Sequence, residues 1–367
     1  MNNILIIMPN IENGGIEKNL ILLSSYLSNK SNITVVCSEI SENIKKSLDG
    51  KIKLFIAKQY FKTTYIPKRI LNTVNAFFGV ILNRKAIVNN ETIILSLQNH
   101  PFPIILSKIL NKKIIIRIAN HPYTSLKYFN SKISFLIKIF IKIFFYKLAD
   151  GIICNSDSSR DYLKRYLKRK SIVTILNPIN LKKEFSFNQK RKNLVTVGRL
   201  ENQKNMGGII LALKKVINYF PSIKLIIIGS GSEKKKLEKL VNDNNLNEYV
   251  IFKGYVNPID DLLSCKILIL NSFFEGLPNI LIEGLSCKIP IISTNCESGP
   301  KEILENEKYG SLVEVNNHEE LSNKILEVLN NYDKAIIKAE NGFKSLDRFE
   351  YSNQLRKVED YIFSFKN

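Results

Sequence analysis

Short runs rich in isoleucine, leucine and valine alternate with longer stretches of helical periodicity along the whole chain. Continuous apolar runs of this length are typical of parallel β-strands that are buried on both faces. Seven runs in the first half are predicted strands: residues 3–8, 33–37, 53–57, 92–97, 113–118, 151–155 and 172–176. Six more follow in the second half: residues 193–197, 224–228, 249–252, 267–270, 290–293 and 312–315. The alternation predicts an α/β protein with two successive doubly wound domains.

The boundary between the two predicted domains lies within residues 177–192. Asn177 and Pro178 end a strand, and the residues that follow are mostly polar or charged. The sequence therefore predicts a first domain over residues 1–180 and a second domain over residues 181–345. Residues 346–367 are expected to form a C-terminal helix that packs back toward the first domain.

Charge is distributed unevenly between these domains. The 367 residues include 54 Lys and Arg and 33 Asp and Glu, for a formal net charge of +21. Residues 1–180 hold 27 cations and 9 acids (+18), whereas residues 181–367 hold 27 and 24 (+3). Net charge is informative about partners rather than about fold. The first domain is therefore expected to face an anionic partner.

The five cysteines are widely spaced and include no Cys-x-x-Cys pair suited to zinc or redox chemistry. This usage fits a reducing cytosol. The apolar stretch at the N-terminus is too short for a signal peptide and lacks a cationic start. The longest apolar tract is interrupted by Lys138, Lys142 and Lys147, which are costly at the centre of a bilayer. No transmembrane helix is predicted.

Candidate functional residues lie in the loops after predicted strands, where open parallel sheets bind their ligands. After the first strand, Gly14 and Gly15 open a predicted helix, and bare backbone N–H groups at this point can approach an anion. A plain tight turn before a helix is the alternative interpretation of the glycine pair.

A second candidate loop follows the first strand of the second domain and contains Gly198, Arg199 and Lys204. Two cations five residues apart suit a diphosphate, because arginine offers a planar fork and lysine a point charge. A solvated, lysine-rich loop is the alternative for Lys204. Arg199 is less easily explained in this way, since the chain has only ten arginines.

A third candidate segment, residues 272–284, runs from a strand into an apolar helix, with Glu275 before the helix and Glu283 inside it. The N-terminus of a helix attracts an anion, and carboxylates accept hydrogen bonds from hydroxyl groups. A sugar nucleotide combines both kinds of group. For Glu283 alone, a solvated helical side chain is the alternative, although its apolar neighbours argue against it.

Taken in order, these motifs resemble those of the retaining glycosyltransferases of family 4. The resemblance spans nearly the whole chain and rests on four elements: Gly14-Gly15-Ile16-Glu17, Gly198-Arg199-Leu200 with Lys204-Asn205, Glu275 with Glu283, and Ser298-Gly299-Pro300-Lys301-Glu302-Ile303. It implies the GT-B fold, in which two facing Rossmann-like domains enclose a cleft. The first domain would bind the acceptor and the second the nucleotide sugar.

The resemblance also implies roles for individual residues. Arg199 and Lys204 would hold the donor diphosphate, Glu283 the ribose hydroxyls and Glu275 the hydroxyls of the transferred sugar. Further donor-binding residues are implied at Gly14, Gly15, Gly198, Gly254, Tyr255, Gly276, Leu277, Pro278 and Asn279. The fourth element is similar to that of family members acting on capsule, O-antigen or lipid-linked oligosaccharide with UDP-hexoses or UDP-N-acetylhexosamines.

Members of this family usually carry a histidine near the reacting centre, and this chain has three. His100 and His121 each follow a predicted strand, so both loops are expected to face the cleft. His121 is preferred as a catalytic residue that touches sugar or acceptor, with His100 and Asn120 as alternatives on the acceptor side. A loop histidine bonded to backbone stays open for each. His318 begins a late helix and is expected at the surface.

Two routes to retention remain open. In a front-face reaction, the leaving diphosphate oxygen deprotonates the acceptor hydroxyl while Arg199 and Lys204 stabilise the developing charge. A double displacement needs a carboxylate beside the anomeric carbon, and Glu275 is the candidate. The chain contains no Asp-x-Asp triplet, which argues against the type of sugar transferase that binds the diphosphate through a divalent ion, so no metal is expected. No other cofactor is expected either.

Three classes of function are compared. The first is a transferase acting on a lipid-linked or polysaccharide acceptor, the second a sugar-nucleotide epimerase of the same architecture, and the third a basic nucleic-acid-binding protein. The basic first domain and the ordered transferase motifs count against the epimerase. No helix-turn-helix pattern or basic motif interleaved with aromatic residues supports nucleic-acid binding. The transferase is preferred, and the sugar, linkage, acceptor and oligomeric state stay open.

Residues 131–149 are predicted to form a basic amphipathic helix. Its apolar face would carry Ile133, Ile137, Phe140, Ile141, Phe144 and Leu148. Residues 58–85 add a second stretch of aromatic and cationic residues, and such surfaces bind anionic lipid headgroups. Packing of this helix against its sheet is the alternative. We expect a cytoplasmic protein that is peripheral on the inner face of the cell membrane and binds it through residues 1–180.

Overall fold

The structure is a computed structural model that describes residues 2–12, 15–63, 65–98, 101–127, 132–168, 171–179 and 191–365. It divides the chain into two compact units. Unit 1 consists of Met1–Pro178 together with Tyr351–Asn367, and unit 2 consists of Ile179–Glu350. Residues 346–350 therefore lie in unit 2, where Leu346 and Phe349 are buried, and not with the C-terminal helix.

The strands of the described residues match every strand predicted from the apolar runs, with boundaries that differ by at most a few residues. Two short strands, at Asn10–Ile11 and Glu39–Ile40, were not predicted. In chain order the strands are β1 (Asn2–Ile7), β2 (Asn10–Ile11), β3 (Ser31–Cys37), β4 (Glu39–Ile40), β5 (Lys53–Ile56), β6 (Thr92–Ser96), β7 (Ile114–Ile118), β8 (Gly151–Cys154), β9 (Ser171–Thr174), β10 (Lys192–Val197), β11 (Leu225–Ile228), β12 (Val250–Gly254), β13 (Cys265–Leu270), β14 (Ile291–Thr294) and β15 (Ser311–Val313).

Helices connect these strands, and two short 3₁₀ helices lie at Asn202–Lys204 and Leu346–Phe349. Side chains cap some of the helices: Ser156 accepts a hydrogen bond from the Ser159 N–H, and Asn317 accepts one from the Glu320 N–H. The α-helices are α1 (Gly15–Leu27), α2 (Glu42–Ser47), α3 (Lys68–Leu82), α4 (Arg84–Ile87), α5 (Phe102–Ile109), α6 (Thr124–Lys127), α7 (Lys132–Leu148), α8 (Asp157–Tyr166), α9 (Met206–Val216), α10 (Lys234–Asp243), α11 (Ile259–Ser264), α12 (Asn279–Ser286), α13 (Pro300–Ile303), α14 (His318–Asn330), α15 (Tyr332–Lys344) and α16 (Tyr351–Phe363).

Unit 1 is built on a seven-stranded sheet in the order β5-β3-β1-β6-β7-β8-β9, with every pair parallel. Alternate residues of β1 point to opposite faces. Ile4 and Ile6 enter a core with α1, α2 and α16, whereas Leu5 and Ile7 enter a core with α3, α5, α7 and α8. Helices therefore cover both faces of the sheet, which explains why its strands are apolar throughout.

Unit 2 is built on a six-stranded parallel sheet in the order β12-β11-β10-β13-β14-β15. Its largest core joins side chains of β10, β11 and β13 to those of α9, α10 and α14. β10 comes first in the chain and lies in the middle of the sheet, with later strands added on both sides. The strand order therefore reverses between β10 and β13, and in open parallel sheets ligands bind beyond the carboxyl ends of the strands at such a point.

The C-terminal helix α16 is part of unit 1. Leu355, Val358 and Ile362 are fully buried in its core. The Tyr361 hydroxyl donates to the Ser171 carbonyl oxygen at 2.7 Å. Glu359 accepts hydrogen bonds from Tyr26 and Lys30. Helix α16 is therefore bonded both to an early part of unit 1, near residue 30, and to a late part, at Ser171.

All five cysteines are free and buried. Burial raises the pKa of each of these thiols to about 11 or 12. The thiols are therefore protonated at neutral pH and serve as small apolar side chains.

Candidate functional site

Two predicted site residues that are 71 positions apart form an ion pair in unit 2. Lys204 Nζ lies 2.5 Å from Glu275 Oε1, and the two side chains are only 14% and 7% exposed. The Ser272 hydroxyl donates to the same oxygen at 2.5 Å. Lys204 ends the loop after β10 and Glu275 lies in the loop after β13, so the pair stands where the strand order reverses.

The loops that carry Lys204 and Glu275 are joined by hydrogen bonds on both sides of the ion pair. The Phe273 N–H donates to the Gln203 carbonyl oxygen at 2.9 Å, and Gln203 Nε2 donates to the Phe274 carbonyl oxygen at 2.8 Å. Asn271 Nδ2 donates to the Asn205 carbonyl oxygen at 3.0 Å. These bonds fix the backbone that presents each charged group, so the site is organised before any ligand arrives.

The segment Ser298-Gly299-Pro300 packs against the backbone of the Glu275 loop. The Ser298 hydroxyl donates to the Glu275 carbonyl oxygen at 2.8 Å. Gly299 has φ +86°, and a Cβ there would lie 2.2 Å from the Gly276 carbonyl oxygen. Only glycine fits this backbone shape and this approach. The fourth sequence element, which had no assigned role, is thus a structural support for the third.

Helix α12 begins directly after this loop, with Asn279 as its first residue. Asn279 and Glu283 are four residues apart and therefore share one face, which is partly exposed, while Leu281 and Ile282 are buried on the other side. Gly276, Leu277 and Pro278 form the approach to the helix N-terminus. This arrangement can present amide groups to an anion and a carboxylate to hydroxyl groups.

Sequence reasoning missed the loop after β11, where Gly229 lies against the candidate loop. Gly229 has φ +144°, and a Cβ there would lie 1.8 Å from the Gly198 carbonyl oxygen. The Gly198 N–H in turn donates to the Ile228 carbonyl oxygen at 2.9 Å. A Gly-Ser-Gly-Ser run directly after an isoleucine-rich strand is the signal that could have revealed this contact.

The loop that contains Gly254 and Tyr255, two predicted donor-binding residues, lies next to the Gly229 loop. The Gly229 N–H donates to the Gly254 carbonyl oxygen at 2.7 Å. Lys253 Nζ lies 2.7 Å from Asp261 Oδ1, and the Asp261 side chain is buried. Tyr255 follows with its side chain 68% exposed. Arg199 is also exposed. The side chains of Arg199 and Tyr255 are therefore open to solvent, while the loops that carry them are held by hydrogen bonds of the backbone.

The predicted residues of unit 1 are placed less completely. Gly14 and His100 lie outside the described residues, whereas Gly15 begins α1 and Asn120 is exposed after β7. His121 is 3% exposed, and its Nδ1 accepts a hydrogen bond from the Thr124 N–H at 3.4 Å. Its ring packs against Tyr162 with the centroids 5.1 Å apart.

Burial and the nearby charge of Lys142 lower the pKa of His121 to about 4. The imidazole is therefore neutral at pH 7, with Nδ1 as the acceptor and the proton on Nε2. Burial likewise lowers the pKa of Lys142 to about 8. The catalytic role predicted for His121 stays a prediction.

Within the described ranges, no group of three or more His, Cys, Asp or Glu side chains is arranged to hold a metal ion. At the strand-order reversal of unit 2, Lys204 and Glu275 form an ion pair. The expectation that no metal is required stays a prediction.

A family comparison identifies the part of the chain that contains this site. Residues 179–345 match the model of the family described as Glycosyl transferases group 1. A relative from Campylobacter jejuni, a GalNAc-alpha-(1->4)-GalNAc-alpha-(1->3)-diNAcBac-PP-undecaprenol alpha-1,4-N-acetyl-D-galactosaminyltransferase, is 28% identical over 74% of this chain and 74% of its own length. A poly(ribitol-phosphate) alpha-N-acetylglucosaminyltransferase from Staphylococcus aureus is 27% identical over 56% of this chain and 42% of its own length.

Solved structures match the whole chain at low sequence identity. HepE from Anabaena, in complex with UDP and glucose, superposes with a TM-score of 0.80 at 17% identity and covers 100% of both chains. TarM from Staphylococcus aureus, in complex with fondaparinux, alpha-GlcNAc-glycerol and UDP, gives 0.79 at 16% identity and covers 99% of this chain and 100% of that one. These likenesses confirm the predicted GT-B fold.

Proposed function

We propose that this chain, a glycosyltransferase of the GT-B fold with a Glycosyl transferases group 1 domain at residues 179–345, transfers a hexose or N-acetylhexosamine from a UDP-sugar to a lipid-linked or polysaccharide acceptor. The transfer retains the anomeric configuration, as in family 4, and serves the synthesis of a cell-surface glycan such as capsule or O-antigen. The undecaprenol-linked substrate in the name of the Campylobacter relative supports the acceptor class. UDP in the HepE and TarM complexes supports the donor class.

The ion pair between Lys204 and Glu275 carries this proposal. A UDP-sugar presents a diphosphate and sugar hydroxyls close together, and the pair offers a cation and a carboxylate side by side. Arg199 lies in the same loop as Lys204 and is exposed, so it can add a second cation to the diphosphate. Glu283, one helical turn after the start of α12, then remains for the ribose hydroxyls.

The proposed reaction follows the front-face route. The acceptor hydroxyl oxygen bonds to the anomeric carbon from the face on which the bond to the UDP oxygen breaks, and that phosphate oxygen takes the acceptor proton. Arg199, Lys204 and the amides before α12 stabilise the negative charge that develops on UDP. Glu275 acts in this scheme as a hydrogen-bond acceptor for sugar hydroxyls. Hydrogen bonds from Lys204 and Ser272 to its Oε1 lower the nucleophilicity of that oxygen.

The purified full chain tests the reaction when it is supplied with UDP-glucose, UDP-GlcNAc or UDP-GalNAc, with and without a polyprenyl-diphosphate-linked sugar. We expect UDP release that the acceptor accelerates, and NMR of the product should show the anomeric configuration of the donor. A chelator should leave the rate unchanged, because cationic side chains neutralise the diphosphate. An epimerised donor with no release of UDP would instead assign the chain to the epimerases.

Two acidic variants test the assigned roles. Glu275→Gln should lower kcat, because this side chain touches the transferred sugar, whereas Glu283→Ala should mainly raise KM for the donor, by about tenfold. Glu248→Ala is the control, since Glu248 is exposed just before β12, at the amino end of the sheet. Equal effects of Glu275→Gln and Glu283→Ala on KM alone would contradict the division of roles.

We place this reaction at the inner face of the cell membrane, with the chain as a cytoplasmic, peripheral protein. A lipid-linked acceptor is confined to a bilayer, and the charge of +18 in residues 1–180 favours an anionic surface. Nucleic acid is not part of the proposal.

A further inference from the structure

Helix α7 exposes a continuous apolar stripe. Six large side chains, spaced three and four residues apart, lie along one side of the helix and are 45–73% exposed: Ile133, Leu136, Ile137, Phe140, Ile141 and Phe144. Residues at this spacing share one helix face. We call these six residues the apolar stripe. A helix that packs on a sheet normally turns such a stripe inward, and here it faces outward.

The stripe is exposed although α7 is firmly attached to unit 1. Tyr146 is 2% exposed within the core on this side of the sheet, and Phe135 packs against Tyr123 with the ring centroids 5.1 Å apart. The helix is apolar on both sides, so one side can enter the core while the other side remains outside. The stripe is therefore a second apolar surface and not the result of an undocked helix.

The neighbouring helices on the same face of the sheet extend this apolar character. Leu82 at the end of α3 is 63% exposed, and Ile109 at the end of α5 is 58% exposed. Both helices pack into the same core as α7. On the opposite face, the described residues of α1, α2 and α16 expose no large apolar side chain. Apolar exposure is thus a property of one face of unit 1.

The charge of the same part of the chain is almost entirely positive. Residues 51–149 contain 17 Lys and Arg and a single acid, Glu91. On α7 itself, Lys138 and Lys147 are exposed, and the helix has no acidic residue. An apolar stripe with exposed lysines on the same helix complements a surface that is apolar inside and anionic outside. A bilayer with anionic headgroups has this composition.

No described helix is both long enough and apolar enough to cross a membrane. A stripe along one side of a helix instead fits a helix that lies in the plane of the interface.

We propose that the apolar stripe of α7 enters the headgroup region of an anionic bilayer, while Lys138 and Lys147 bind lipid phosphates. This inference deepens the proposed function and rests on it for its biological setting, because a lipid-linked acceptor would then be met at the surface where unit 1 is bound. The binding itself involves no nucleotide sugar, so it can be measured separately from catalysis.

Co-sedimentation of the full chain with vesicles of phosphatidylcholine and phosphatidylglycerol tests the proposal. The triple variant Ile137→Gln/Phe140→Gln/Phe144→Gln should bind at least tenfold more weakly than the unchanged chain. The double variant Tyr219→Gln/Ile337→Gln is the matched control, since both residues are exposed apolar side chains of unit 2, and it should bind as the unchanged chain does. Circular dichroism should show the same fold for all three proteins.

The lipid and salt dependence separates the two parts of the surface. Binding should weaken on vesicles of phosphatidylcholine alone, which carry no net charge. It should also weaken when the salt concentration is raised from about 0.1 M to about 1 M, since the Debye screening length falls from about 10 Å to about 3 Å. Lys138→Gln/Lys147→Gln should reduce this salt dependence and leave the apolar contribution.

Three outcomes would overturn the inference. The unchanged chain could fail to bind anionic vesicles, or the triple variant could bind as well as the unchanged chain. Sedimentation velocity without lipid could also reveal a dimer that the triple variant abolishes, which would assign the stripe to self-association. UDP release by the triple variant without lipid should equal that of the unchanged chain, so a failure of vesicle binding is distinguishable from a failure of the proposed reaction.

Discussion

Units 1 and 2 share one architecture, but unit 1 is distinguished by exposed apolar side chains and unit 2 by a polar network in its loops. Among the described residues, 16 exposed large apolar side chains belong to unit 1 and five to unit 2. Unit 2 instead concentrates its distinctive contacts at the carboxyl ends of its strands, where Lys204, Glu275 and Ser272 form a buried polar network. The distinctive feature of unit 1 is thus the exposed apolar surface of its helices, and that of unit 2 is the polar network in its loops.

The difference shows that the doubly wound fold constrains function only loosely. Both sheets are parallel, both are covered by helices, and both cores consist mainly of isoleucine, leucine and valine. From the fold alone, the two units would therefore be expected to bind the same kind of ligand. The placement of a few charged and apolar side chains outside the core separates a unit suited to a small anionic ligand from one suited to an extended anionic surface.

The largest expected effect would break the polar network of unit 2. Lys204→Ala should lower turnover at least 100-fold, because it removes a cation from the leaving diphosphate. It should also destabilise the protein by about 3 kcal/mol, since it leaves the buried Glu275 carboxylate without its partner. Steady-state kinetics and denaturant unfolding measure the two losses.

Arg199→Ala is the matched control for Lys204→Ala. Arg199 is exposed, so its removal should cost turnover but not stability. The double variant Lys204→Met/Glu275→Gln should recover stability without recovering turnover, because no buried charge then lacks a partner. A Lys204→Ala protein with unchanged stability would show that the ion pair does not hold the loops together.

A second test concerns a buried group in unit 1. Because the pKa of His121 falls from 6.5 to about 4 on folding, the unfolded chain binds more protons between these values. His121 therefore contributes stability above pH 6.5, and this contribution is lost as the pH falls through 4. Each pKa unit corresponds to about 1.4 kcal/mol, so the full loss is about 3 kcal/mol.

Denaturant unfolding at pH 7 and pH 4 measures this loss. His121→Gln should lose less stability on acidification than the unchanged chain does. His318→Gln is the control, since His318 is exposed at the start of α14, and it should behave as the unchanged chain. Equal acid sensitivity in all three proteins would refute burial of a neutral His121.

The smallest expected effect sharpens the description of the unit 2 loops. Ser298→Ala removes the hydrogen bond to the Glu275 carbonyl oxygen and should cost about 1 kcal/mol of stability. Because this bond positions the loop, kcat should also fall, by up to about tenfold. Ser322→Ala is the control: Ser322 is also buried, and its hydroxyl donates to the Glu319 carbonyl oxygen at 2.7 Å within α14. A fall in kcat in both variants would indicate general destabilisation.

The sequence was sufficient to predict the two sheets, because buried parallel strands require continuous apolar runs. It also identified both members of the ion pair, since Lys204 and Glu275 each lie in a loop that follows a strand. That these two residues, 71 positions apart, contact each other could not be predicted, because the contact depends on β10 and β13 being neighbours in the sheet.

The orientation of α7 illustrates a second limit of sequence patterns. Periodicity predicted the helix and grouped Ile133, Phe140 and Phe144 on one face. It could not indicate which face meets the sheet, because Phe135, Ile143 and Tyr146 give the other side an apolar character as well. Only the packing of Tyr146 in the core decides that the stripe faces outward.

Helix α16 determines when unit 1 can be completed during synthesis. Its side chains fill the core of a unit whose other elements end at Pro178, so that core lacks Leu355, Val358 and Ile362 until α16 has been synthesised. Unit 2 is made entirely between these two parts and can fold first. Unit 2 can therefore be complete before unit 1 is, although unit 1 begins first, and a fragment that stops at Pro178 would lack part of its own core.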